Sequence, residues 1–432
     1  MTDEQREYVL ANLCSYWPEN SEPVRAVCRQ TQTQNLRLEE KMPAKGAVVV
    51  LPDWAEGIGV DGGLQVPEKY AETDWRKVDW LSVCFWYLNC QAERAWENLH
   101  GPVHSYSFRL SGWDGRFWEH AWVNRIALFL RKWAARESRS DETQLMGQLP
   151  KAQIHLTHDV DAVRKTIPIR IKQAGFHGVN AIRFLLDGQF RKSLNKMHRA
   201  VKFLLSTEDY WCFDTIMELE KLNGFKSTFN FYAGNVSRFR GSKNWLMDPS
   251  YDPGHGRLKQ TIRSMHAEGW TIGLHQSYEA WRDDVQMKAE RRHLETALGA
   301  PVTTCRQHRL RFSFADTWRS QEVAGFKQDM TLGFNDRSGF RNGSALAFCP
   351  WDEEKRCSMD IVALPMVIMD SHLYDYKQLR DEEVTVEMTK WVREINEVYG
   401  QATVIWHQRV MSMDYGWGRG FKNLLDLVNS KR

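Results

Sequence analysis

Two aspartates two positions apart, Asp159 and Asp161, close the run Ile154-His155-Leu156-Thr157-His158-Asp159-Val160-Asp161. The apolar residues alternate up to the carboxylates, as in a strand that emerges from a core, which is where α/β proteins place their chemistry. In extended backbone, residues two apart share a face, so one carboxylate could hold a metal ion while the other works on a bound water. Taken alone, the pair would equally suit a charged strand end or a helix cap. Three further polar clusters follow strand-like runs: His275 with Glu279, Arg306 with His308, and His407 after Val404-Ile405-Trp406.

The surrounding pattern supplies elements to position these groups. A helix is expected over Cys212 to Leu222, stopped by Gly224, with a strand over Ser227 to Tyr232. A second helix, Leu258 to Glu268, is stopped by Gly269 and followed by a strand from Trp270 to Leu274 that ends at His275. Helices over 286–298 and 316–324 and strands near 302–305, 330–334, 361–366 and 403–406 continue the alternation. Repeated β/α units predict a parallel sheet, and about seven of them a distorted (β/α) barrel whose strand-end loops gather the four clusters at one mouth.

Residues 1–150 read as a smaller α+β accessory domain of unassigned role, with a strand over Ala47 to Leu51 and helical spacing over Trp80 to Leu88 and Trp118 to Trp133. The polar run Glu137 to Thr143 is the expected linker, leaving 151–432 as the chemical domain. The glycines 57, 59, 62 and 63 lack the strand-to-helix context and Lys-Ser/Thr of a phosphate cradle. Ten of the nineteen tryptophans precede residue 134, and burial in a core accounts for them more simply than sugar stacking does. Residues 162–205 form an expected helical insertion with ten Lys or Arg (164, 165, 170, 172, 183, 191, 192, 196, 199, 202) against Asp187 alone. Apolar residues are interleaved with these, so the insertion is either a solvated helical face or a surface for anionic lipid or a diphosphate-bearing substrate.

Composition bounds the rest. With 42% hydrophobic and 26% charged residues the chain is globular, and a net charge of +3 gives no footprint for nucleic acid. The eight cysteines lack a C-x-x-C pair, which suits reduced thiols rather than a disulfide framework or a thiolate zinc site. Met1 to Glu7 has no basic start or apolar core, so a cytoplasmic protein is expected, with peripheral contact at the inner face of the membrane through the basic insertion.

From Thr157 to His407 the chain resembles the polysaccharide deacetylases of the NodB-homology type, carbohydrate esterase family 4 in the broad sense. Leu156 to Asp161 is similar to the first family motif, Gly224-Phe225-Lys226-Ser227-Thr228-Phe229 to the Gly-x-x-Ala-Thr-Phe strand, and Glu268 to Ser277 to the second motif. Arg306-Gln307-His308 stands where the family has Arg-x-Pro, Asp336 to Arg341 where it has an Asp-containing motif, and Trp406-His407 where it has Leu-His. The resemblance implies Asp159 as general base, Asp161 and His275 as metal ligands and His407 as general acid. It also implies Arg306 beside Asp159 and Asp336 behind His407. Two positions depart from the pattern: Glu279 replaces the second histidine of the second motif, and His308 replaces the proline of the third. The third ligand is therefore His308 or Glu279, with His308 preferred because it keeps two imidazoles and one carboxylate. His158 should point to the opposite strand face, as a structural residue.

The resemblance implies a divalent cation, zinc being the expected one, and removal of N-acetyl groups from amino sugars of a cell-envelope polysaccharide or its cytoplasmic, lipid-linked precursor. Two alternatives share the residues: a deformylase or other small-amide hydrolase on a saccharide, and a catalytically weak glycan-binding member of the fold. The partner implied in each case is an N-acylated saccharide.

Overall fold

The computed structural model describes residues 1–31, 42–234 and 247–430. Twelve strands are named in chain order: β1 (Gly46–Val50), β2 (Gly63–Pro67), β3 (Gln153–Val160), β4 (Thr228–Tyr232), β5 (Thr271–Gln276), β6 (Thr304–Gln307), β7 (Gln328–Asp329), β8 (Trp351–Asp352), β9 (Cys357–Ser358), β10 (Val362–Ala363), β11 (Met366–Met369) and β12 (Gln401–Ile405). Eight form one sheet in the order β10-β7-β6-β5-β4-β3-β12-β11. Pairing is parallel between β3 and β4, β4 and β5, β6 and β7, and β7 and β10. This is the α/β class expected from the alternation, a curled parallel sheet of the (β/α)-barrel kind, with β10 and β11 at its two ends.

The elements form for local reasons. The helix Phe213–Leu222 ends before Gly224 (φ 71°), and the helix Gly256–Ala267 before Gly269 (φ 98°). Both glycines adopt the left-handed conformation that a side chain would strain, and so release the chain into β4 and β5. The strand expected near 330–334 is β7, which lies slightly earlier and is short, since pairing stops at Asp329. Thr331 takes over, its Oγ1 accepting from the Gln307 N–H at 3.0 Å, so a side chain replaces a ladder carbonyl. Met330, Leu332 and Phe334 are buried even so, which explains why the segment looks like a strand in sequence.

The chain folds into two compact units, Met1–His155 with Thr303–Val404, and Leu156–Val302 with Ile405–Ser430. In the first, buried ion pairs tie residues 1–155 to 303–404. Arg125 donates to both oxygens of Glu394 at 2.8 and 2.6 Å, and Arg341 pairs with Glu93 at 2.8 Å, each pair buried. Burial pushes the Glu394 carboxyl up, but His120 and Arg125 outweigh it and hold the group down at about 2. Buried pairs of this kind are costly to break one partner at a time. Trp17, Trp75, Trp80, Trp86, Trp118, Trp122 and Trp133 are buried, as the core account of the tryptophans expects. The polar run 137–143 is a capped turn: Asp141 accepts from the Thr143 and Gln144 N–H groups at 2.8 and 3.0 Å and starts the helix Glu142–Met146.

In the second unit, the expected helical insertion is two helices, Ile167–Leu186 and Phe190–Leu205, joined by a turn at Gly188 (φ 71°). Ser193 Oγ donates to Ala181 O at 2.8 Å, and Phe203 packs on His177, so the helices pair antiparallel. All eight cysteines are free.

Candidate active site

β3 delivers its last residues as the alternation predicts. His158 and Asp159 are both buried but serve different faces. The imidazole of His158 meets Trp406 O at 2.6 Å through Nδ1 and Glu220 Oε1 at 2.9 Å through Nε2. Glu220 also accepts from Trp270 Nε1 at 2.6 Å and Ser227 Oγ at 2.9 Å. Burial raises the Glu220 carboxyl, and the bonds from His158, Trp270 and Ser227 overcome this and hold it below the usual carboxylate range. His158 is thus fixed inside the structure, as its strand position implies.

On the other face, Asp159 Oδ1 accepts from Asn230 Nδ2 at 2.9 Å. Asn230 lies directly across from Asp159 in the β3/β4 register, so two parallel strands set this contact. A buried amide inside a strand is expensive unless it is hydrogen-bonded, and here it is used to hold a carboxylate. Tyr251 fixes the same strand ends, its OH donating to Val160 O and accepting from Tyr232 N, both at 2.7 Å.

Asp161, one residue past β3, is the hub. Its Oδ1 lies 3.3 Å from His275 Nε2, and its Oδ2 lies 3.8 Å from His407 Nε2 and in direct contact with Arg409 Nη1. Arg409 Nε in turn donates to Tyr415 OH at 3.1 Å. His275 is carried at the end of β5, opposite Tyr232 in the register, and His407 follows β12. His308 opens the turn after β6, where Arg309 (φ 56°) and Leu310 (φ 50°) both adopt the left-handed conformation. Non-glycine residues held there cost of order 1–3 kcal/mol each and mark loops whose geometry is fixed by their surroundings.

Among the described residues of the second unit, Asp161 and His275 each offer one ligand atom for a metal ion, and His308 is the residue that would complete a set of three. Two imidazoles and one carboxylate suit a divalent transition metal, since this set leaves positions open for water and substrate. Oδ1, the carboxylate oxygen nearer His275, is the one placed to serve, because Oδ2 is on the Arg409 side. Glu279 is not in the group; it precedes the short turn Ala280–Arg282. Arg306 is fully buried and donates to Met330 O at 2.8 Å and Thr403 Oγ1 at 3.4 Å.

Asp336 holds a turn of its own unit. Its carboxylate accepts from Ser107 N at 3.0 Å, Ser107 Oγ at 2.9 Å and Phe108 N at 3.2 Å, and so caps the turn Ser107–Arg109. Asp336→Ala should therefore cost about 1–3 kcal/mol of stability in urea unfolding. The pH profile of turnover should stay unchanged; an altered limb for the general acid would tie Asp336 to His407.

Arg409, Asn230 and Tyr415 were not singled out by sequence. Arg409 stands two residues past His407 in a strand-exit loop, so its position was a usable signal. Glu290 is a further buried group, accepting from the Ser277 N–H at 3.0 Å and from Ser277 Oγ, and burial above all pushes its carboxyl up to about 7. It anchors the loop that follows His275.

No family model matches the chain, and no curated protein does. Solved structures do match. A protein described as a polysaccharide deacetylase from Mycobacterium smegmatis is 13% identical, with 65% of this chain and 85% of that chain covered and a TM-score of 0.38. The chitin deacetylase of Colletotrichum lindemuthianum is 13% identical over 65% and 83% of the two chains, with a TM-score of 0.34. A Bacillus cereus polysaccharide deacetylase is 10% identical over 65% and 89%, with a TM-score of 0.32. These neighbours are polysaccharide and chitin deacetylases. At such TM-scores they establish no activity for this chain.

Proposed function

We propose that this chain is a metal-dependent N-deacetylase acting on an N-acylated amino sugar of a cell-envelope polysaccharide or its lipid-linked precursor. The observation that carries this reading is Asp161 Oδ1 standing 3.3 Å from His275 Nε2, two residues along the strand exit from Asp159, with His308 as the proposed third ligand. Asp161, His275 and His308 would hold a divalent cation, zinc being our proposal, which when bound would supply a Lewis acid for an amide carbonyl and lower the pKa of water toward ~7.

The chain's own residues do the rest. Asp159, held by Asn230, accepts a proton from the attacking water; the hydrogen bond from Asn230 fixes which oxygen is turned toward the strand. His407, on the far side of Asp161, gives a proton to the departing amine as the C–N bond breaks. Arg409 holds Asp161 in place through Oδ2, and Tyr415 holds Arg409. The step balances: water adds across the amide, and its two hydrogens end on the amine and the released carboxylic acid.

The choice between His308 and Glu279 as third ligand is open to a direct comparison. His308→Ala should weaken metal binding by about 100-fold or more, whereas Glu279→Gln should change it by less than about tenfold, since removing even an outer-shell partner costs roughly 10–100-fold. Competition with a chromogenic chelator measures both. Equal or reversed effects would transfer the ligand to Glu279. The reading as a whole is tested by metal analysis of the purified protein together with acetate release from N-acetylated oligosaccharides and lipid-linked saccharides; identification of the released acid decides between acetyl and formyl removal.

A further inference from the structure

The hairpin of helices Ile167–Leu186 and Phe190–Leu205 exposes what an ordinary helix pair would bury. Phe190, Leu194, Met197, Val201, Leu204 and Leu205 recur at intervals of three and four, and at 3.6 residues per turn they fall within roughly 100° of arc. All are exposed, Leu194 by 70% and Leu205 by 74%. The packed side of this helix is a neighbouring strip, Ser193, Ala200 and Phe203. The first helix repeats the arrangement: Ile167, Ile171, Val179, Ile182, Leu185 and Leu186 are exposed, Val179 by 68% and Leu186 by 82%, while His177 and Ala181 are buried.

The charges flank these apolar strips. Arg183 on the first helix and Arg191 and Lys202 on the second are exposed within about 60° of the apolar arcs, while Lys192 and Arg199 are exposed on the face opposite the second strip. Asp187 is the sole acid of 162–205. Some of the ten basic residues serve the structure instead, Arg170 Nη1 donating to Ser206 O at 2.8 Å. Lys196, expected on the surface, is buried, with its Nζ 6.0 Å from the Phe176 ring centre, and Lys165 pairs with Asp414 at 2.6 Å.

We propose that this hairpin is an interfacial membrane anchor that lies on an anionic lipid surface, with its two apolar strips in the acyl boundary and its flanking Arg and Lys at the phosphate level. Charge complementarity selects this occupant. A second copy of the chain would bring the same cations against each other, whereas a bilayer offers hydrocarbon flanked by fixed negative charge, in the order in which the hairpin presents its apolar and cationic strips. No helix among the described residues is long and apolar enough to cross a membrane, so the hairpin lies on the surface.

The anchor is tied to the loop that carries the candidate site. Lys165 and Ser206, at the two feet of the hairpin, both bind Asp414, and Tyr210 OH donates to it at 2.9 Å. Phe203 packs on Tyr415 at 5.1 Å, and Tyr415 holds Arg409 on Asp161. A membrane-bound hairpin would thus hold the Asp161 loop next to the lipid surface. The docking stands whether or not the deacetylase reading does, because its test does not use turnover.

Flotation of the full chain on phosphatidylcholine vesicles, with and without phosphatidylglycerol, at low and high salt, decides the matter. Binding is expected with the anionic lipid at low salt, released at high salt as the surface charge is screened. Combining Arg183→Glu, Arg191→Glu and Lys202→Glu should weaken partitioning by roughly 100-fold. Combining Leu194→Ser, Val201→Ser and Leu204→Ser should abolish it, and all six positions are exposed, so both variants should melt as the parent does. Two results would overturn the proposal: no flotation of the parent chain at low salt, or a dimer in light scattering that the serine variant dissociates while lipid binding is absent.

Discussion

Asp161→Asn should yield a folded chain that binds a divalent cation far more weakly and no longer hydrolyses amide. Asp161 is the one carboxylate of the three-ligand group, and its neighbours within 4 Å include His275, His407 and Arg409. Loss of an outer-shell partner costs a metal site roughly 10–100-fold in affinity, so loss of this ligand should cost about 100-fold or more. The difference is visible without an activity assay. At an ion concentration about 100 times its Kd, a bound metal stabilises the fold by about 2.7 kcal/mol, and a 100-fold weaker site by about 0.4 kcal/mol, so chelation should lower the Tm of the parent several times more than that of Asp161→Asn. A variant whose Tm falls on chelation as far as the parent's would place the metal elsewhere.

Asp159→Asn should do the opposite half of this experiment, keeping metal and losing turnover. The amide cannot take a proton from water, and a positioned general base contributes about 10²–10⁴-fold, so kcat should drop by that amount with metal content unchanged. The substituted side chain keeps an oxygen that can accept from Asn230 Nδ2, so the local hydrogen bond and the fold should survive. Near-normal turnover by the metal-loaded variant would remove Asp159 from its role. Together the two variants separate holding the ion from moving the proton, at residues only two positions apart.

Much of this was legible because strands impose a period of two. The alternation through Leu156 to Asp161 predicts that Asp159 and Asp161 share a face and that His158 opposes them, and His158 is held by Trp406 O and Glu220 behind the strand. The glycine stops at 224 and 269 are local conformational demands, so they too could be read from single residues. What could not be read depended on partners distant in sequence. Nothing near Asp336 announces that Ser107 and Phe108, more than 200 positions away, take up its carboxylate. Nothing in 1–150 announces that Glu93 and Arg125 find their charges in Arg341 and Glu394, which is why that stretch reads as a separate domain. The buried segment 330–334 blurs the end of β7 for a related reason, since burial and strand pairing leave the same apolar signature. In the hairpin, composition reveals the excess of cations, but only the packing of the two helices distinguishes a buried Lys196 from an exposed Arg199 and leaves the apolar strips uncovered.

The most direct test of the central claim is acetate release by protein stripped of metal and then reloaded with graded amounts of zinc, using an N-acetylated oligosaccharide as substrate. The account predicts no release from the stripped protein, release that returns in proportion to bound metal, and none from metal-loaded Asp159→Asn beyond about 1% of the parent rate. Acetate release that persists in fully stripped protein, or its absence from fully metal-loaded parent protein on every N-acylated saccharide offered, would contradict it.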